Sequence, residues 1–274
     1  MTAVTTEVPG PPAGHYGPAG VLRSEWTKFK SVRSTSWSLA ATVVLTIAIG
    51  ILATAVEAQR WNQLSFIERL TFDPVRQSLT GILFSQLAIG VLGVLVVSAE
   101  YGTGTIRSTL AAVPNRPLVL GSKAVVFGVV ALVISEVLAF AAFFIGQAIL
   151  SGSTPTTSLS DPAALRAVIG AGLYLTLLGL FALGLGAIIR HTAGAISAFV
   201  GVLLVLPLIV QALPQSIIDD VGKFLPANIG VTMVGLHDPP DIRSFSPWVG
   251  LGLLALYAAA ALAIGGWVMV RRDA

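Results

Sequence analysis

Six long apolar runs leave this chain few folds to choose from. They occupy roughly residues 37–56, 79–99, 124–150, 167–189, 194–213 and 248–270. Each is long enough to cross about 30 Å of hydrocarbon at about 1.5 Å per residue. In lipid a backbone N–H or C=O must find its partner within the protein, so each run is predicted as an α-helix. Composition agrees. Of 274 residues, 55% are hydrophobic and 11% charged, whereas a soluble domain carries about a quarter charged residues. The predicted fold class is an all-α integral membrane protein with six transmembrane helices, in which residues 21–272 form a single transmembrane domain.

Basic residues flanking the runs predict orientation. With the N-terminus inside, the inner side carries Arg23, Lys28, Lys30, Arg33, Arg107, Arg116, Lys123, Arg190, Arg271 and Arg272. The outer side carries Arg60, Arg69, Arg76, Arg166, Lys223 and Arg243. Ten against six predicts a multi-pass protein of the cell membrane with both termini cytoplasmic. The same placement explains the sequence pI near 9.5 without nucleic acid as a partner. Between the fourth and fifth spans only Arg190-His191-Thr192 intervenes, which predicts a tight helical hairpin.

The polar island between spans two and three is the most informative stretch. It runs Glu100-Tyr101-Gly102-Thr103-Gly104-Thr105-Ile106-Arg107-Ser108-Thr109-Leu110 and on through Pro114 and Pro117 to Lys123. Ile106, Leu110 and Val113 recur at helical spacing and make one apolar stripe. Thr103 or Thr105 is expected to cap the helix start, and Pro114 and Pro117 to end it. Glu100 and Arg107 could pair with each other or with a partner. For Arg107, partner contact and topology anchoring are both open.

Other segments are simpler. Residues 1–20 are rich in Pro and Gly and read as a disordered cytoplasmic tail. Over 21–35, Leu22, Trp26 and Phe29 mark one face and basic residues the others, a basic amphipathic helix in the headgroup plane with lysines reaching phosphates. In the last outer loop Ile217, Ile218, Val221, Phe224 and Leu225 are helically spaced opposite Asp219, Asp220 and Lys223. This predicts an outer amphipathic helix before span six, broken at Pro226-Ala227-Asn228, which serves as a gate or merely covers the bundle.

Glu136 is the one acid in the middle of a span. A charge there costs about 2.5–3.5 kcal/mol on insertion scales, so it should face protein or water. It is either on a substrate or proton path or hydrogen-bonded to a neighbouring helix. Gln86, Gln147 and Gln211 could line the same path or hold helices together. Small residues at four-residue spacing (Gly81/Ser85, Ala142/Gly146, Ser197/Gly201, Ala261/Gly265) permit close helix approach.

Several chemistries find no residues. There is no Gly-x-x-x-x-Gly-Lys-Ser/Thr run for a P-loop, no His-Glu-x-x-His, no Gly-x-Ser-x-Gly and no cysteine. No catalytic, cofactor-binding or metal site is expected in this chain, which is not expected to be an enzyme.

Three stretches together carry a resemblance: Leu22-Arg23-Ser24-Glu25-Trp26-Thr27-Lys28, Glu100-Tyr101-Gly102-Thr103-Gly104-Thr105-Ile106-Arg107 and Phe224-Leu225-Pro226-Ala227-Asn228. Over roughly residues 20–272 the chain resembles the membrane subunit of a type-2 ATP-binding cassette (ABC) transporter, particularly the actinobacterial permeases. The resemblance implies that residues 103–113 are a coupling helix held in a cleft of a cytoplasmic ATPase, and that 21–35 are the connecting helix. It implies two ATPase subunits, which bind ATP and magnesium, and a second permease subunit, identical or a sister. Glu100, Tyr101, Thr103, Thr105, Ile106, Arg107, Leu110 and Val113 would then meet the ATPase, and the cargo would be a lipid-like or amphipathic molecule for export. The alternative is a self-contained secondary transporter or channel using Glu136.

Overall fold

The computed structural model describes residues 17–31, 33–237 and 244–271. The tail expected at 1–20 lies outside them up to residue 16, as do Arg243 and Arg272. Among the described residues there is no strand. The helices, in order, are α1 (Pro18–Ser31), α2 (Arg33–Arg60), α3 (Phe66–Leu70), α4 (Pro74–Ser78), α5 (Thr80–Thr103), α6 (Thr105–Ala112) and α7 (Arg116–Leu150). There follow α8 (Pro162–Ile189), α9 (Thr192–Val200), α10 (Leu206–Gln211), α11 (Gln215–Val221), α12 (Pro226–Met233) and α13 (Pro247–Arg271). Six stretches of the described residues are long and apolar enough to cross a membrane: Thr42–Gln63, Thr80–Thr103, Arg116–Leu150, Pro162–Ile189, Thr192–Gln211 and Pro247–Arg271. The chain is an all-α, multi-pass membrane protein.

The centre of the bundle is α8, which packs against α5, α7 and α13. Glycine sets the closest of these approaches. A methyl on Gly93 of α5 would stand 2.2 Å from the Gly179 carbonyl oxygen of α8, so only two bare backbones fit there. Three of the four small-residue pairs work in the same way. Gly81 lies on the Thr46 carbonyl, Gly146 on Ser78, and Gly265 on Ala187. Around Gly201 a methyl would meet nothing within 4 Å, so Ser197/Gly201 makes no such contact.

Proline is where the structure departs most from the sequence reading. Pro18 opens α1, three residues before the predicted start, because its fixed φ suits the first helical turn. Pro117 begins α7 rather than ending the island, with the Asn115 side chain accepting from Leu118 N–H at 3.1 Å. At 35 residues, α7 is about 52 Å long, so its first turns extend beyond a hydrocarbon layer of about 30 Å. Pro226 likewise begins a helix, α12, after α11 has already ended at Val221, and Ile229, Gly230 and Met233 of α12 are buried against α8 and α13. In the fifth span Pro207 has no amide hydrogen to give the Leu203 carbonyl. The ladder there widens into a π-helical turn, Gly201–Val205, in which Leu206 N–H reaches back to Gly201 O.

The loop after α12 is pinned at this end of the bundle. Asp73 caps α4 by accepting from Val75 N–H and Arg76 N–H, both at 3.0 Å, and takes Leu236 N–H at 2.6 Å on its other oxygen. Arg76 donates to His237 O and Arg166 to Gly235 O, each at 2.8 Å. On α11, Ile217 and Val221 are exposed, as is Phe224 just beyond. No residue of α11 is buried, and α12 is the element that covers the bundle.

Candidate functional site

Where α5 ends, the chain must turn sharply without losing its hold on the bundle. Gly104 takes φ +73° and separates α5 from α6, a conformation that costs glycine nothing and other residues strain. Neither threonine caps α6, contrary to expectation. Thr103 donates back to Ala99 O at 3.0 Å, and its hydroxyl meets that of Thr105 at 2.9 Å. Gly104 occupies the cap position without a side-chain bond. α6 then ends before Val113, which is extended, and Pro114 follows.

At this corner four charged side chains from three helices meet. Lys123 of α7 is 3% exposed and donates to Glu25 Oε2 at 2.7 Å and to Glu100 Oε1 at 2.6 Å. Lys28 of α1 donates to Glu25 Oε1 at 2.8 Å, to Glu100 Oε1 at 3.2 Å and to Thr109 Oγ1 of α6 at 3.0 Å. Two carboxylates balance two ammonium groups, so the cluster is neutral as a whole while each member depends on the others. Charge-assisted bonds of this length are the strong kind, and in a dry setting each lost partner strands a charge. Burial alone would lower the Lys28 pKa. The bonds and Coulombic attraction from Glu25 and Glu100 outweigh it and hold that pKa above the ordinary lysine value.

The cluster binds α1, α5, α6 and α7 into one node. A second set of contacts ties α5 across to the far side of the bundle. Arg190, in the left-handed turn between α8 and α9, lies 5.1 Å over the Tyr101 ring and donates to Val268 O of α13 at 2.8 Å. Thr192 donates to Ser98 at 3.0 Å. The base of α5 is thus fastened to α1, α7 and the α8–α9 turn, and through Arg190 to α13.

The predicted contact residues fall into two groups. Ile106 is 2% exposed and belongs to the protein's own core, with Leu110 and Val113 half-buried beside it. The apolar stripe faces the bundle, not outward, because α6 lies flat across the ends of the spans. Glu100 is taken up by the two lysines and does not meet Arg107, and Tyr101 lies under Arg190. The surface that α6 presents is Thr105, Arg107, Ser108, Ala111 and Ala112, with Thr103 beside it. On α1 the inward line is Val21, Glu25 and Lys28, while Trp26 is 43% exposed. Lys28 therefore does not reach for lipid phosphates, as the amphipathic reading had it.

The residues suggested for a substrate path do not converge. Gln86 accepts from the Tyr174 hydroxyl at 2.6 Å. Gln147 donates to Pro74 O and Ser78 Oγ, both at 3.0 Å, and accepts from Thr157 N–H at 2.9 Å. Both hold helices together. Gln211 is exposed at the end of α10. Glu136 packs its carboxyl against Gly172 of α8, and its Oε2 is buried with no partner among the described residues.

Sequence reasoning passed over Glu25, Lys28, Lys123 and Thr109 as a group. One local signal was present: Glu25 and Lys28 are three apart on a helix and so share a face. The other partners lie 23 to 98 residues apart in the chain, where no spacing rule reaches. No family model matches this chain, and no curated protein matches it.

Proposed function

We propose that this chain is the membrane-spanning subunit of an ABC transporter, driven by a separate ATPase that docks on α6. The observation that carries the reading is the node itself. A short helix with a small, polar outer surface follows α5 directly and is tied through the Lys28–Thr109 hydrogen bond to the ion cluster that joins α1, α5 and α7, so a push on α6 has to move two spans together. Under this reading both termini and α6 lie in the cytoplasm, two ATPase subunits bind ATP and magnesium, and a second permease subunit completes the assembly. Export of a lipid-like or amphipathic cargo belongs to the same reading, and catalysis rests with the partner.

The test uses the outward residues of α6. The full chain is purified in mild detergent with the P-loop ATPase that accompanies it, and ATP hydrolysis is measured with and without the chain. Arg107→Glu combined with Ala111→Glu should leave the chain folded and abolish both association and stimulation. Unchanged association and stimulation in that variant would refute the docking role.

Glu136 favours a second reading, a gradient-driven carrier, because a buried carboxyl oxygen without a partner is a natural place for a proton or cation. Flux in vesicles holding the purified chain alone, lost in Glu136→Gln, would support it over the first.

A further inference from the structure

We propose that the groove between the start of α7 and the end of α13 holds an anionic phospholipid, one acyl chain lying between the helices and the phosphate at Arg271. The groove has a volume of about 460 Å³, and its walls include Gly121 and Ala124 of α7 and Ala263, Gly266, Trp267 and Val270 of α13. That is the size of a small-molecule site. Small residues on both helices create it. A methyl on Gly121 would meet nothing within 4 Å, and one on Gly266 would meet only a Leu120 methyl at 3.7 Å.

Depth and charge select the occupant. The groove lies where α13 runs out at Arg271 and where α7 emerges from the hydrocarbon, which is the boundary between acyl chains and headgroups. Its rim is basic. Arg116, next to the groove at the start of α7, donates to Met269 O at 2.6 Å and caps the end of α13. Arg271 is exposed and lies 5.0 Å over the Trp267 ring, beside the groove. An apolar slot between spans with arginines at its mouth is the arrangement that retains anionic headgroups. A second copy of the chain is a poorer occupant. Among the described residues, Glu25 and Glu100 are the acids at this end of the bundle, and both are committed to lysines.

The test is lipid retention by the full chain, read by native mass spectrometry after equal exposure to phosphatidylglycerol and phosphatidylcholine. The wild type should prefer phosphatidylglycerol by about fivefold or more, the worth of one basic residue near an anionic surface. Arg271→Gln should bring that preference close to unity. Gly121→Leu, whose side chain enters open space, should cut retention of both lipids while circular dichroism and monodispersity stay unchanged. In a variant keeping Trp267 as its one tryptophan, brominated phosphatidylglycerol should quench fluorescence more than brominated phosphatidylcholine does. Equal retention of the two lipids by the wild type would overturn the proposal. So would phosphatidylglycerol retention unaffected by Gly121→Leu, or a dimer that Gly121→Leu dissolves.

Discussion

Replacing Lys123 with methionine removes a charge and keeps most of the volume, so it isolates what the ion cluster contributes. Lys123 is 3% exposed and is the shorter of the two bridges, at 2.7 and 2.6 Å, between Glu25 and Glu100, which are themselves 5% and 15% exposed. Without it, two carboxylates share the single ammonium of Lys28, and one buried charge is left over. Breaking a buried pair by removing one partner costs about 3–5 kcal/mol. Lys28→Met should cost less, about 1 kcal/mol, because that side chain is 35% exposed and water screens its loss. The assay is denaturant-induced unfolding in detergent, run as a double-mutant cycle with Glu25→Gln. Since Glu25→Gln removes the carboxylate that Lys123→Met leaves uncompensated, the double variant should cost less than the sum of the single ones by about 1–3 kcal/mol. Additive losses, or a Lys123→Met cost below about 0.5 kcal/mol, would refute the argument that the cluster is a coupled, buried unit.

The other expectations concern pH, packing and the surface of α6. Because the Lys28 pKa is raised in the folded protein, its contribution to stability is complete below the ordinary value of 10.5 and is lost as pH rises through the folded value. Unfolding midpoints followed above pH 10.5 should therefore fall more steeply in the wild type than in Lys28→Met. Gly93→Ala places a methyl 2.2 Å from the Gly179 carbonyl and should destabilise by about 1–3 kcal/mol in the same unfolding assay. Gly102→Ala, with nothing within 4 Å, should be neutral or gain up to about 1 kcal/mol from helix propensity. Ile106→Asp should reduce stability through core burial, whereas Arg107→Glu should not, a contrast that thermal unfolding of the two variants checks directly.

The six spans were readable because length and polarity alone decide whether a segment lies in lipid. The island was readable as a short helix because its apolar spacing is local. Which way that spacing faced was not, since Ile106 points inward only because α6 folds flat after Gly104. Proline misled in a consistent manner. Pro117 and Pro226 were taken as helix terminators, yet each also supplies the first turn of the next helix, and α12 was missed for that reason. The ion cluster was hidden differently. Lys28 and Lys123 looked like ordinary topology markers, and nothing in the chain order says that Glu25 and Glu100 come to the same corner.

In the proposed transporter, α6 receives force from a protein on its own side of the membrane. A photoreactive amino acid at position 107 of the full chain, activated in native membranes, tests this most directly. The expected product is a crosslink to a soluble protein that carries a Gly-x-x-x-x-Gly-Lys-Ser/Thr motif. Adducts with lipid or with this chain alone, or labelling of position 107 by a reagent confined to the exterior, would contradict it.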